Sequence, residues 1–396
     1  RRRHLQRAYG TCQTVKILFS LDNYDHGTGG AEMSIQALAH QLATRGHEIK
    51  VLQRDERVSS YDDGPVHVHT SPLTSPRFIR DRDRDTLRWN RQWRPMLQEF
   101  IEAYPPDLII TQNRLLYSTV NVATNRNIPV IIFVRAFSMF CPMQFSSHEA
   151  LSECTRQCKQ CLPWRLRIKY GSIRRNLDKY EEGLRKATLL IANSHYMRKV
   201  IRRFYDIEAE VVYPTVDEKR YEWPTSERNR VLFVKPQYVK GLPIFIQVAR
   251  RMPDTRFLVA GKVGRHARMK LKDLKNVECM GWVKDMRAAY ARTRVLLGPS
   301  IWPEPFGRIF VEASSNGIPS IASRRGGIPE AVGKGGILID DIFDVNRWVE
   351  ALRQLEDPDV YTAYEKSARE NAANFSSDAS LAQFLESNRK VMGIEL

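Results

Sequence analysis

The 396-residue chain reads as an α/β protein made of two successive doubly wound, Rossmann-like domains. Three observations say so. Short β-branched runs alternate with helical patterns through the first half, the alternation breaks at a proline-bearing polar segment, and it then restarts. Strand and helix in regular alternation mark a parallel sheet covered on both faces. The length agrees, because a chain of this size exceeds what one compact core serves.

The elements follow in order. Residues 15–19 predict a buried strand, and Ile35, Leu38, Ala39 and Leu42 then recur at helical spacing up to Gly46, a suitable terminator. Further strands are expected at 49–52, 107–110, 130–134 and 189–192. Residues 54–95 read as charged and loop-rich, with the mixed-charge run 81–85 a solvated surface. The break falls at Tyr213-Pro214-Thr215-Val216-Asp217. Beyond it come a strand at 231–234, a helix through Ile244 and Val248, and strands at 257–260 and 295–297. Leu381, Phe384, Leu385 and Val391 predict a closing helix from Asp378. The resulting partition is an N-terminal domain over 1–213 with a cysteine-rich insertion at 141–161, a C-terminal domain over 214–377, and a helix over 378–396 packing back on the first domain. Ligands of doubly wound sheets bind beyond the carboxyl ends of the strands, so two such domains are expected to face a central cleft.

Lys and Arg number 62 against 45 Asp and Glu, a formal charge of +17 that attracts phosphates, anionic lipid headgroups or nucleic acid. The interleaved aromatic-basic pattern of RNA-binding modules is missing, which disfavours nucleic acid. No apolar run is long enough to span a bilayer, and no apolar segment follows Arg1-Arg2-Arg3-His4 before Val15, so a cytoplasmic protein is expected. Residues 165–203 mix many Lys and Arg with Leu, Ile and Tyr. They read either as a peripheral contact with the inner face of an anionic membrane or as two ordinary helices with a basic side.

The segment richest in chemistry is Pro299-Ser300-Ile301-Trp302-Pro303-Glu304-Pro305-Phe306-Gly307-Arg308-Ile309-Phe310-Val311-Glu312, which follows a buried strand and leads into a helix. Its prolines hold Glu304 in an extended loop, so the helix starts only after Pro305. A helix N-terminus beyond a strand's carboxyl end binds phosphate. Glu304 and Glu312 repel phosphate and suit sugar hydroxyls instead.

These residues resemble the Glu-x7-Glu motif of the family 4 retaining glycosyltransferases, enzymes of the GT-B fold. The resemblance implies that Glu304 contacts donor-sugar hydroxyls and that Glu312 holds the ribose, with Phe306, Gly307 and Arg308 at the donor between them. Val234-Lys235-Pro236-Gln237-Tyr238-Val239-Lys240-Gly241 is similar to the family's diphosphate-binding segment, which assigns Lys235 and Lys240 to the pyrophosphate. Gly27-Thr28-Gly29-Gly30-Ala31-Glu32 resembles its N-terminal glycine loop, placing Gly29 and Gly30 at the donor phosphates. Gly281-Trp282-Val283-Lys284-Asp285-Met286 resembles the segment lining the nucleotide base, although Trp282 equally suits a core position. Gly326-Gly327-Ile328-Pro329-Glu330 resembles a later glycine loop.

Two departures stand out. In Arg135-Ala136-Phe137-Ser138-Met139-Phe140-Cys141-Pro142, Arg135 occupies the place of a histidine in many relatives. Arginine cannot act as a base, so a catalytic Arg135 must work electrostatically, toward an anionic group; the alternative is a structural arginine. Cys141, Cys154, Cys158 and Cys161 lie close in sequence, as in some relatives, and suit either a structural zinc site or reduced, packed thiols. His26 is the nearest remaining titrating candidate, more simply a solvated loop histidine.

The expectation is therefore a retaining glycosyltransferase with Glu304, Arg135 and Lys240 in catalytic roles. It would move a sugar from a nucleotide-diphosphate donor to a glycan, lipid-linked or small-molecule acceptor. No cofactor is required for the chemistry. The rivals are a sugar-nucleotide epimerase or phosphorylase of the same fold, a sugar-nucleotide-binding protein without catalysis, and a polyanion-binding protein suggested by charge alone.

Overall fold

The computed structural model describes residues 14–24, 29–75, 82–143, 154, 158–216 and 227–396. His26, Gly27 and Thr28 lie outside them. The chain forms two compact units: residues 216–379 make the second, and the described residues before and after it make the first.

The first unit holds an eight-stranded sheet. Its strands are β1 (Lys16–Leu21), β2 (Glu48–Asp55), β3 (Ser59–Asp63), β4 (Val66–Pro72), β5 (Leu108–Gln112), β6 (Val130–Val134), β7 (Leu189–Ala192) and β8 (Glu210–Val211), in the order β3-β4-β2-β1-β5-β6-β7-β8. Only β3 runs antiparallel, against β4. The central strands β5, β6 and β7 are buried along their whole length, as continuous apolar runs in a covered parallel sheet must be. The closing helix Ser377–Met392 belongs to this unit from Ser380 onward. Phe384 stacks on Phe133 at 6.0 Å, and Met392, Ile394 and Leu396 enter the same core as Ile17 and Ile110.

The second unit holds six parallel strands, β9 (Arg230–Val234), β10 (Phe257–Ala260), β11 (Val277–Gly281), β12 (Thr293–Gly298), β13 (Ser320–Ser323) and β14 (Gly336–Ile339), ordered β11-β10-β9-β12-β13-β14. Its core gathers Phe233, Phe245, Phe257 and Trp348, with Phe233 and Phe245 stacked at 4.6 Å.

One expectation fails. Much of the region read as loop is ordered: it contains the end of β2, β3, β4 and the start of helix Arg82–Ala103. In that helix Trp89, Trp93, Leu97 and Ile101 fall on one face and are buried, while five arginines on the other faces mask the period. Even Asp85 of the mixed-charge run is buried, at 8% exposure.

Candidate functional site

Beyond the carboxyl end of β9 the chain turns sharply. Lys235 adopts a left-handed conformation (φ 57°), its amide donating to the Ala260 carbonyl at 2.8 Å, and its side chain is exposed. A short turn, Tyr238–Lys240, brings the chain to Gly241 at φ 88°. No other residue fits there, since a Cβ would lie 1.7 Å from the Pro299 carbonyl oxygen. That close approach presses the lysine loop against the loop after β12. The Ile301 and Trp302 amides both donate to the Val239 carbonyl at 3.0 Å.

The two loops then share an ion pair. Lys240 Nζ lies 2.8 Å from Glu304 Oε2, the side chains 18% and 10% exposed, and the ammonium also sits 4.9 Å from the centre of the Trp302 ring. Glu304 is fixed from behind: it bridges Gly326, and its carbonyl accepts from the Gly327 amide at 2.7 Å. Gly307, at φ 105°, opens helix Arg308–Ser315 without a side-chain cap, and its carbonyl accepts from the Phe310 amide at 3.0 Å.

One helical turn on, Glu312 is buried and held at both carboxylate oxygens. Arg308 Nε donates to its Oε1 and the Tyr290 hydroxyl to its Oε2, each at 2.9 Å. Tyr290, at the end of helix Arg287–Tyr290, has no exposed surface. Nothing in the sequence reading singled it out; the available signal is an aromatic between two alanines just before a buried strand. Carboxylates so held keep lone pairs free for hydroxyl donors without having to be ordered by the ligand.

Two expected residues play other parts. Phe306 is 3% exposed and its ring packs on Phe375 at 5.4 Å, so its side chain serves the core. Trp282 is no core residue: it is 60% exposed at the rim of a cavity of about 650 Å³, lined also by Lys262, Arg268, Lys272 and Leu271. That rim adjoins the lysine loop, because Gly261 donates to the Gly281 carbonyl at 2.7 Å and packs on Lys235.

Arg135, Gly29 and Gly30 meet in the first unit. Arg135 lies over the Phe133 ring at 4.4 Å and donates through Nη1 to the Ala31 carbonyl at 2.5 Å, tying the end of β6 to the first turn of helix Gly30–Thr44. Gly29 is the N-cap of that helix, with the Glu32 carboxylate folded over it. Nearby, Asp22 follows β1 with its Oδ1 buried and without a hydrogen-bond partner. Burial raises its pKa to about 6 against the opposing pull of Arg114, with Glu32 adding to the rise and Arg54 opposing it.

The expected zinc site is not found among the described residues. Among the described residues no group of three or more His, Cys, Asp or Glu side chains is placed to hold a metal ion, and none of the four cysteines is in a disulfide. Cys141 is buried in the turn after β6, whereas Cys154, Cys158 and Cys161 are half-exposed. Burial, together with the neighbouring Cys154 and Cys161 thiols, pushes the Cys158 thiol up.

Comparison with known proteins gives a consistent picture. Residues 28–220 match the profile described as Glycosyltransferase Family 4, and residues 228–357 match that of Glycosyl transferases group 1. A D-inositol 3-phosphate glycosyltransferase of Corynebacterium diphtheriae is 38% identical over 107 residues, covering 26% of this chain and only 24% of that protein. A 42.6 kDa protein of the Klebsiella pneumoniae cps region, itself uncharacterized, is 25% identical across 79% of this chain and 86% of its own length. In fold, sucrose-phosphate synthase from Thermosynechococcus elongatus superposes with a TM-score of 0.74 at 17% identity, over 96% of this chain and 99% of its own. Anabaena HepE in complex with UDP and glucose superposes with a TM-score of 0.68 at 19% identity, over 94% and 99%.

Proposed function

We propose that this chain, a family 4-like glycosyltransferase of the GT-B fold, transfers a sugar from a nucleoside diphosphate donor to an acceptor hydroxyl with retention of anomeric configuration. The observation that carries the reading is the ion pair of half-buried Lys240 with buried Glu304, shortly before a helix start, at Arg308, that has no side-chain cap. An ammonium and the positive end of a helix dipole stabilise charge growing on a departing diphosphate, and such groups, ordered before the reaction, need little rearrangement during it. Glu304 accepts from hydroxyls of the transferred sugar, and Glu312 from those of the ribose. Lys235, exposed on the same loop, supplies a second cation to the diphosphate. Trp282 and its cavity receive the base. HepE is described in complex with UDP, which makes uridine diphosphate the first ligand to try.

Retention follows if the acceptor hydroxyl attacks on the face from which the diphosphate leaves. The C–O bond to phosphate breaks, the leaving oxygen takes up the acceptor proton, and the new glycosidic bond forms on that face. Arg135 acts in this reading as a positioning residue that holds the start of helix Gly30–Thr44, and with it Gly29 and Gly30.

Thermal denaturation with a panel of nucleoside diphosphates tests the proposal. One diphosphate at about a hundred times its Kd should stabilise the fold by about 2.7 kcal/mol. Glu304→Gln should keep that response and lose turnover, whereas Lys240→Ala should lose both. If no nucleoside diphosphate raises the melting temperature, the donor reading fails. An inverted product anomer by NMR would remove the retaining step alone.

A further inference from the structure

Around residue 165 the first unit carries a stretch with two unlike sides. Leu162, Ile173 and Leu177 are buried in a small core of their own, with Leu166 and Tyr170 packed against it. Trp164 and Ile168 are left outside, 68% and 79% exposed. Four residues apart, they lie on one side of the short helix Trp164–Arg167 and its continuation.

The charge around them has one sign. Arg165, Arg167, Arg174 and Arg175 are exposed, and no Asp or Glu occurs from residue 154 to residue 177. Arg165 stacks over the Trp164 ring at 5.2 Å. Only at Asp178, which pairs with Arg174 at 2.9 Å, does a carboxylate answer.

We propose that residues 163–175 form a docking surface for an anionic lipid bilayer. Bare tryptophan and isoleucine gain by entering the boundary between headgroups and acyl chains, where an indole places its ring in the apolar layer and its N–H among polar groups. Arginines flanking them stay at the headgroup level and pair with lipid phosphates. A nucleic acid would use Trp164 for stacking and the arginines for phosphate but would gain nothing from Ile168. The packed inner face means the surface needs no unfolding to bind. It goes beyond sugar transfer and does not depend on it.

Co-sedimentation of the full chain with vesicles tests it. Vesicles of equal parts phosphatidylglycerol and phosphatidylcholine should pellet the protein and pure phosphatidylcholine should not, with binding weakened by salt. Trp164→Ser/Ile168→Ser should lower the vesicle affinity roughly tenfold or more, and Arg165→Gln/Arg175→Gln about fivefold for each charge removed. Both variants should keep the wild-type melting temperature and its response to nucleoside diphosphate, which separates this proposal from the transfer reading. Unchanged vesicle binding in the Trp164→Ser/Ile168→Ser variant would overturn it. So would equal binding to neutral vesicles, or retention by a single-stranded oligonucleotide that depends on the arginines but not on Ile168.

Discussion

Tyr290 holds Glu312 from a position with no solvent access, and its hydroxyl is one of the two donors that keep that carboxylate in place. Replacing it with phenylalanine leaves the ring packed and removes one charge-assisted hydrogen bond. We expect Tyr290→Phe to fold and to weaken nucleoside diphosphate affinity roughly tenfold, read by calorimetry, as the loss of such a bond would give. Gly241 answers to a different constraint. Its Cβ would strike the Pro299 carbonyl, so Gly241→Ala should lower the melting temperature, with a cost of about 3 kcal/mol or more. Asp22 supplies a pH signature. Burial, partly offset by Arg114, raises its pKa to about 6, so its contribution to stability is fully present below the unfolded carboxylate range and is lost as pH rises through about 6. Asp22→Asn cannot ionise, so its gain in melting temperature over the wild type should be larger at pH 8 than at pH 4.

At the level of elements, legibility tracked how far burial wrote itself as an unbroken apolar run. Strands β5, β6, β7, β10 and β12 lie inside covered sheets, and their hydrophobic stretches announce them. Strands β3 and β11, at the edges of their sheets, have no buried residue, so neither leaves such a run. The helix Arg82–Ala103 was hidden for another reason: its buried face is built largely of tryptophan and polar side chains. Trp93 donates to Ser20 Oγ at 3.0 Å, and Trp89 lies between the guanidinium groups of Arg54 and Arg114 at 4.6 and 3.9 Å. Trp93→Ala should therefore cost about 3–5 kcal/mol in chemical denaturation, the range for deleting a buried aromatic. In the candidate site the Glu304–Glu312 spacing and the two lysines were readable because a loop between a strand and a helix carries its chemistry in consecutive residues. Tyr290 was not, since its contact with Glu312 spans 22 positions and exists only once β12 has been laid between them.

Across the whole molecule, the first unit draws on both ends of the described chain. Phe384, Met392, Ile394 and Leu396 fill its core, Lys390 pairs with Glu210 at 2.6 Å, and the Tyr213 amide donates to Gln383 at 3.0 Å. Removing residues 380–396 should destabilise the first unit while leaving the second, whose core lies within 216–379, near its original midpoint. Limited proteolysis of the truncated chain, followed by mass spectrometry, reads this directly: cleavage should accelerate in 14–215 and not in 230–375.

That discontinuity imposes an order of events during synthesis. A ribosome delivers β1 to β8 long before the residues that seal their core, so the nascent sheet must wait, with Phe133 and its neighbours uncovered, while the entire second unit is translated. The second unit, contiguous in sequence, can close as it emerges. The chain thus completes its middle before its beginning, and the interval in which the first sheet stays uncovered is set by the elongation time from β8 to helix Ser377–Met392.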